Sequence, residues 1–345
     1  MQPKEATKMR NSQQLRVGLI GCGYQGQWLA RAAAEIDAFQ LAVCTDPEPN
    51  ASSAVAAMAD NVQIAESAEA VIEAVNVVLI ATPHHLLQPY ALQAVNAGKH
   101  VLAEKPIALN EKEAVELQTA VNRTGVTYMA GYSFRYFPPV AEAKRLISEG
   151  VIGEIQTVSA GMPRPGLRSG WVSESSSGGG ILGFYGCHMV DRILWFVEDK
   201  PVEVMATVRY YPESGVDQTS VFQVHFEKGA IAQFNMCGSS AGWFDFAHVC
   251  GREGHLYLRS PTFPNYALTV SSRGQDANTS PQTTRMALDR ASAIQQKIVA
   301  ELNDFAESIR HNRQPPITVE DGRKTLQILD AVIASGRTGK PVRLT

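Results

Sequence analysis

The sequence predicts an α/β protein in two parts: an N-terminal doubly wound parallel sheet, then a C-terminal α+β domain with a mainly antiparallel sheet. Three observations predict it. In the first third, short continuous apolar runs alternate with helical stretches, as strands buried on both faces do. A glycine-rich turn directly follows the first of these runs. Beyond Gly131 the order changes to strands in series joined by tight turns, with helices before and after. The expected division is a polar, disordered lead-in over 1–14, a dinucleotide-binding domain over 15–130 and a second domain over 131–345.

Taken in order, residues 15–20 (LRVGLI) are a short apolar run closed by glycine, hence a buried strand. Residues 25–37 are alanine-rich and helical, and 39–44 (FQLAVC) form a second buried strand that ends at the Asp46-Pro47 turn. A helix over 51–59, a strand over 75–81, a helix over 86–97 stopped by Gly98 and a strand over 100–103 follow. Asn110 with Glu113 three residues on has the capping-box pattern of a helix start. A strand over 126–130 completes the first part. In the second part a helix over 140–149 leads to a strand over 154–160. A glycine- and serine-rich loop spans 173–180, and a helix runs from it to about 196. Strands fall near 202–211, 218–226, 230–237, 246–251 and 255–259, with hairpin turns at Glu227-Lys228-Gly229 and Arg252-Glu253-Gly254. Residues 274–282 read as a polar loop, and helices over 289–311 and 319–335 close the chain.

The bulk properties narrow the function. The chain has 345 residues, which suits two domains, and its 45% hydrophobic and 19% charged residues suffice for packed cores. A net charge of −3 argues against nucleic acid or an anionic membrane as partner. No apolar run reaches the roughly 18 residues of a membrane span. The first residues lack the apolar centre of a secretory leader. Cys22, Cys44, Cys187, Cys237 and Cys250 are odd in number, scattered and never paired as C-x-x-C. That fits reduced thiols in the cytoplasm, with neither disulfides nor a zinc site.

Gly21, Gly23 and Gly26 in Gly21-Cys22-Gly23-Tyr24-Gln25-Gly26 follow a strand and open a helix. The first makes a tight turn, the second lets backbone approach a pyrophosphate, and the third lets helix and strand pack closely. The helix start then offers free N–H groups and a positive dipole end to the phosphates. Asp46 lies roughly 20 residues past the last glycine, where an acid bonds the ribose hydroxyl and repels a 2′-phosphate. The expected cofactor is therefore NAD, with NADP disfavoured.

Glu104-Lys105-Pro106 stands at a strand end. A residue before proline is pushed toward extended geometry, which aims Lys105 at the cleft. An ammonium there stabilises developing alkoxide charge, although on spacing alone Lys105 could equally lie on the surface. Around the next glycines, Phe184, His188, Asp191 and Trp195 share a face of an otherwise apolar helix. A histidine and an acid on a buried helix need a reason. Either His188 exchanges a proton with substrate, or it is satisfied by Asp191 or backbone. Thr82, Pro83 and His84-His85 at another strand end are expected cofactor contacts or helix-start packing. Arg135, after Tyr132, is a substrate or cofactor contact or half of a structural salt bridge. A metal pair has no further ligands in the pattern.

These motifs together resemble the Gfo/Idh/MocA oxidoreductases, which include glucose–fructose oxidoreductase and inositol dehydrogenase. The resemblance rests on the glycine turn; Ala81-Thr82-Pro83 with His85; Ala97-Gly98-Lys99-His100-Val101 running into Glu104-Lys105-Pro106; Gly150-Val151-Ile152-Gly153-Glu154; the 178–191 segment; and Thr338-Gly339-Lys340-Pro341-Val342. It covers nearly the whole chain. It implies a Rossmann domain and a C-terminal domain whose large open sheet serves substrate binding and oligomer contacts, in a homodimer or homotetramer. It also implies hydride transfer between a nicotinamide and a sugar, polyol or related carbonyl. The implied cofactor contacts are Gly21, Gly23, Tyr24, Gln25, Gly26, Asp46, Thr82, Pro83, His85, Glu104 and Lys105. The implied catalytic residues are Lys105 and His188. Arg135, Arg164, Trp171, Phe184, Tyr185 and Asp191 are expected to meet substrate, with Arg168 in the same loop.

One position departs from the family pattern D-x-G-x-H: the aspartate is Phe184, in Phe184-Tyr185-Gly186-Cys187-His188. Ser133 stands where the family often has asparagine, and Leu87 where a second histidine is usual. Phenylalanine cannot tune the histidine, and an apolar ring beside it disfavours the imidazolium. Two alternatives to an ordinary dehydrogenase follow: a non-catalytic cofactor-sensing regulator, of which the family has a fungal galactose-regulon example, and an NAD-assisted lyase or glycoside-cleaving enzyme.

Overall fold

A computed structural model of the chain describes residues 14–166, 170–272, 282–285 and 289–344. The expected lead-in, Arg168 and almost all of the expected loop over 274–282 fall outside them.

The first sheet carries β1 (Leu15–Ile20), β2 (Phe39–Thr45), β3 (Gln63–Ile64), β4 (Val77–Ile80), β5 (His100–Glu104) and β6 (Tyr128–Gly131). Every pairing is parallel, in the order β3-β2-β1-β4-β5-β6. Strand β4, Val-Val-Leu-Ile, is buried at each position, as a strand covered on both faces must be. The order reverses between β1 and β4, and the crevice beyond that point is where such sheets hold ligands. The connecting helices are α1 (Tyr24–Glu35), α2 (Pro49–Ala56), α3 (Ala68–Ala74), α4 (His84–Asn96) and α5 (Glu111–Thr124). At the start of α5 the Asn110 side chain accepts from the Glu113 amide at 3.0 Å. The Glu113 carboxylate returns to the Leu109 amide at 2.9 Å, so the cap reaches one residue further back than the pattern suggests.

The chain then enters α6 (Pro138–Ser148) and β7 (Ile155–Pro163). A π-helical turn over Leu182–Gly186 runs straight into α7 (Cys187–Val197). The second sheet adds β8 (Pro201–Tyr210), β9 (Asp217–Phe226), β10 (Ile231–Cys237), β11 (Asp245–Gly251), β12 (Gly254–Ser260), β13 (Ala267–Ser272) and β14 (Gln282–Arg285). It ends with α8 (Arg290–Arg310), α9 (Val319–Thr338) and β15 (Val342–Arg343). Its nine strands are ordered β14-β13-β12-β11-β7-β10-β9-β8-β15, antiparallel except for the pair β7–β10. Burial alternates along β9 and β10, so one face packs inward and the other stays open. The last two helices reach back to the first sheet. Phe305 of α8 meets Phe39 of β2, and Arg323 of α9 pairs with Glu111 at 2.6 Å. Strands β3, β13, β14 and β15 and the short helix α3 are structure that the sequence pattern does not assign.

Candidate active site

A cavity of about 1300 Å³ opens over the carboxyl ends of β1, β4 and β5, between the first sheet and the elements after residue 132. Its first wall is the glycine turn. Gly21 has φ +92°, and a Cβ there would stand 2.6 Å from the Ala81 carbonyl oxygen. A Cβ on Gly26 would lie 2.0 Å from the Gly21 oxygen, so α1 can start against β1 only with glycine. A Cβ on Gly23 would meet nothing within 4 Å: that glycine leaves room for something else. Helix α1 has no side-chain cap and no acid in its first turn, which leaves its leading amides free for an anion. This cradle fits a dinucleotide pyrophosphate.

The nucleotide wall continues with Tyr24, Gln25, Asp46, Thr82, Pro83 and Glu104, all lining the cavity. The Asp46 carboxylate accepts from the Cys22 amide at 2.6 Å and the Glu48 amide at 2.9 Å, which ties the end of β2 to the glycine turn. Gln25 donates to Glu104 at 2.8 Å. Burial pushes the Glu104 carboxyl up, against the pull of Lys105 and Lys297. Two expected contacts are corrected, and the first is Gly26, which packs against the Gly21 carbonyl and does not line the cavity. The second is His85, which does not line the cavity, whereas His84 does. Successive side chains at a helix start diverge by about 100°, so only one of the pair can face the cleft. His84 bonds the Gly178 carbonyl at 2.8 Å through Nδ1 and lies 4.4 Å from the Trp171 ring. Burial, then Lys105, lowers it to about 3, so it is neutral.

Lys105 lines the cavity. Its Nζ donates to the Phe184 carbonyl at 2.9 Å and stands 4.5 Å from the Phe184 ring. The Phe184 ring packs on His84 at 5.7 Å, on Trp171 at 5.7 Å and on Tyr185 at 4.6 Å. His188 stacks instead on Phe134, with centroids 4.1 Å apart. The apolar ring beside the histidine is therefore Phe134, which corrects the expectation that Phe184 would hold that place. Burial first, and then Lys105, Lys297 and Arg192, hold the His188 imidazole well below its ordinary range. Its Nδ1 has no partner among the described residues.

Two further corrections concern Arg135 and Asp191. They do not line the cavity but bind each other through two contacts, of 2.9 and 2.6 Å, in the protein interior. Arg192, the next residue on α7, pairs with buried Asp245 at 2.7 Å, and Tyr266 donates to the same carboxylate. Ion pairs on both sides of α7 thus fix the helix that carries His188. A carboxylate left unpaired at such depth would be costly, which is why Asp191 takes the guanidinium rather than the histidine.

The far wall holds Arg164, Trp171, Phe184 and Tyr185 together with Trp243, Phe263, Arg290 and Lys297. Lys297 donates to Ser133 and lies over the Phe134 ring at 5.4 Å. One turn on, Glu301 is fully buried, and its carboxylate oxygens have no hydrogen-bond partner among the described residues. Burial pushes the Lys297 amine down and the Glu301 carboxyl up. The signal for this pair was present in the sequence: both fall on the stripe of Ala293, Ile294, Ile298, Leu302 and Phe305 that faces the core. No cluster of metal-ligating side chains is found among the described residues.

Comparisons with known proteins match the two-domain fold. The model of an oxidoreductase family with an NAD-binding Rossmann fold covers residues 15–132, and that of the GFO/IDH/MocA C-terminal domain covers 140–257. The chain is 30% identical over 255 residues to 2,7-anhydro-N-acetylneuraminate hydratase of Escherichia coli, across 71% of this chain and 67% of that protein. It is 27% identical to 1,5-anhydro-D-fructose reductase of Ensifer adhaerens, across 78% and 80%. Levoglucosan dehydrogenase in complex with NADH and levoglucosan shares the fold at a TM-score of 0.86 and 24% identity, over 96% of this chain and 99% of that one.

Proposed function

The chain belongs to the GFO/IDH/MocA oxidoreductases, whose Rossmann domain binds NAD, and on that premise we propose that it transfers a hydride between a nicotinamide and a sugar- or polyol-like hydroxyl or carbonyl, with Lys105 at the reacting oxygen. The observation that supports this is that Lys105 lines the same cavity as the glycine turn, with its Nζ held by the Phe184 carbonyl.

When bound, the nicotinamide supplies or removes the hydride. Gly21, Gly23 and the first amides of α1 would hold the pyrophosphate, with Gly26 packing α1 against β1, and Tyr24, Gln25, Thr82, Pro83 and Glu104 would line its path. Asp46 takes the ribose hydroxyl and disfavours a 2′-phosphate, so NAD is preferred to NADP. In the reducing direction the Lys105 ammonium hydrogen-bonds the carbonyl oxygen, stabilises its growing negative charge and gives it a proton as the alcohol forms. In the oxidising direction the same nitrogen takes that proton back. His188, kept neutral by burial, orients the reacting group through a hydrogen bond rather than by carrying charge. The family's aspartate position contributes through the backbone: the carbonyl of Phe184 aims Lys105, while its ring closes the cleft against water.

The relation to a hydratase favours one second reading, in which the hydride is removed and returned within a single cycle. Exposed Met205, Val221 and Ile231 on the open side of β8, β9 and β10 suit burial in a homodimer or homotetramer. No helix among the described residues is long and apolar enough to cross a membrane, and the free cysteines suit the cytoplasm.

The test is a panel of sugars, polyols and their keto forms with NAD or NADH, read by nicotinamide absorbance and by product analysis. Net absorbance change with one member is the expected result. Product without net change selects the second reading. No product from any member, with NAD tightly bound, contradicts both.

A further inference from the structure

Charge is distributed unevenly around the cavity. The acids that line it, Asp46, Glu66, Glu69 and Glu104, all come from the first sheet and its connections. The residues lining it from 133 onward include Arg164, Arg290 and Lys297, and no aspartate or glutamate. Arg164 lies flat on Tyr185, with Cζ 3.2 Å from the ring centroid, and 4.9 Å from the Trp243 centroid. Its Nε and Nη1 are buried and have no hydrogen-bond partner among the described residues. Arg290 lies over Phe263 at 5.7 Å and, like Arg164, has no carboxylate partner among the described residues.

A buried guanidinium without a counter-charge is unfavourable, and a second cation nearby makes it more so. Burial and the Arg290 charge both act to lower the Arg164 pKa. Elsewhere in this chain each deeply buried arginine has its acid: Arg135 has Asp191 and Arg192 has Asp245. Arg164, half-buried and lining the cavity, has no such acid among the described residues. Planar guanidinium groups bind carboxylate and phosphate in a two-pronged fashion, and the aromatic rings beneath fix their orientation.

We propose that the substrate carries an anionic group, a carboxylate or a phosphate, and that Arg164 and Arg290 bind it against Tyr185 and Trp243. This rests on the reading above, that the cavity takes a sugar- or polyol-like molecule, and names the class: an acidic sugar derivative rather than a neutral one. Aromatic faces of Tyr185, Trp243 and Phe263 would cover the apolar face of the ring, and the acid group would lie at the cationic end.

The test is calorimetric titration of the full chain, with and without saturating NADH, using glucose, glucuronate and a glucose phosphate as probes. Either acidic probe should bind roughly tenfold or more tightly than glucose, as charge-assisted hydrogen bonds imply. Preference for one of the two identifies the group. Arg290→Gln, at an exposed position, and Arg164→Gln should each remove most of that preference and leave NADH affinity unchanged. Arg164→Gln breaks no ion pair but gives up its contacts with Tyr185 and Trp243, so its effect on acid binding is read on the folded protein. Equal binding of glucose and both acids, or an acid preference that survives both substitutions, overturns the proposal. So does a loss of NADH affinity matching the loss of the acid, since the arginines would then serve the nucleotide. If NADH itself does not bind, the function proposed above fails, while titration of the protein alone still reads the two arginines.

Discussion

At Gly23 the cavity wall is backbone; at His188 it is side chains packed from three directions. The nucleotide half needs no particular charge beyond Asp46. Its glycines are where they are because a Cβ at Gly21 or Gly26 would strike a carbonyl oxygen, and its anion site is a helix start. The substrate half depends on burial. His84 and His188 are neutral there, Lys297 and Glu301 lean toward neutral, and Arg164 lacks an acid. A backbone site is general, and one chain can share it with many relatives. A side-chain site is particular, and the expense of its buried charges must be met by ion pairs behind it, Arg135 with Asp191 and Arg192 with Asp245.

That difference is open to direct attack. The largest effect should come from Asp191→Asn, which leaves Arg135 buried without its main partner. The expected loss is about 3–5 kcal/mol of unfolding free energy, read by denaturant titration, with NAD affinity of the folded fraction unchanged. A variant of normal stability with a raised KM would instead make Asp191 a substrate contact.

A smaller effect should appear in the pH dependence of stability. His84 is lowered from 6.5 to about 3 in the folded chain. Below about pH 6.5 the unfolded chain takes up a proton that the folded chain does not, so folding weakens as pH falls toward 3. The carboxyls of Asp191 and Asp217, raised to about 6 by burial, act in the opposite sense over part of that range. Comparing His84→Asn with the unmodified chain cancels them. The variant should gain about 1.4 kcal/mol relative to the unmodified chain for each pH unit between 6 and 4. Parallel curves would mean that His84 titrates normally.

The smallest effect tests the nucleotide half. Asp46→Ala should weaken NAD by about 0.5–1.5 kcal/mol and narrow the gap to NADP, both read by calorimetry. An unmodified chain that prefers NADP would remove Asp46 from the ribose.

What the sequence makes legible divides along the same line. Five of the six strands of the first sheet, all but the two-residue β3, the glycine turn and the Asn110 cap obey local rules over a few residues, and they stand in the structure close to where those rules put them. The open, mainly antiparallel second sheet was legible in its hairpins, but β13 and β14 were not, since their residues lack clear alternation. Lys105, His188, Tyr185 and Arg164 meet in one cavity, yet nothing local says that Phe184 would turn to Lys105 and His84 rather than to His188. Arg135 and Asp191 are 56 residues apart and find each other only in the folded chain. Lys297 and Glu301 show only as two charges on an apolar stripe, a mark that carries no chemistry until Ser133 and Phe134 are beside them.

The most direct test of the central claim, that the nucleotide half binds and Lys105 reacts, compares Lys105→Met with the unmodified chain in one assay. With the substrate found by the panel, kcat should fall by roughly 10²–10⁴, the usual contribution of a positioned acid or base, while the NAD dissociation constant stays within a factor of about three. Retained turnover, or loss of NAD binding in step with turnover, would contradict it.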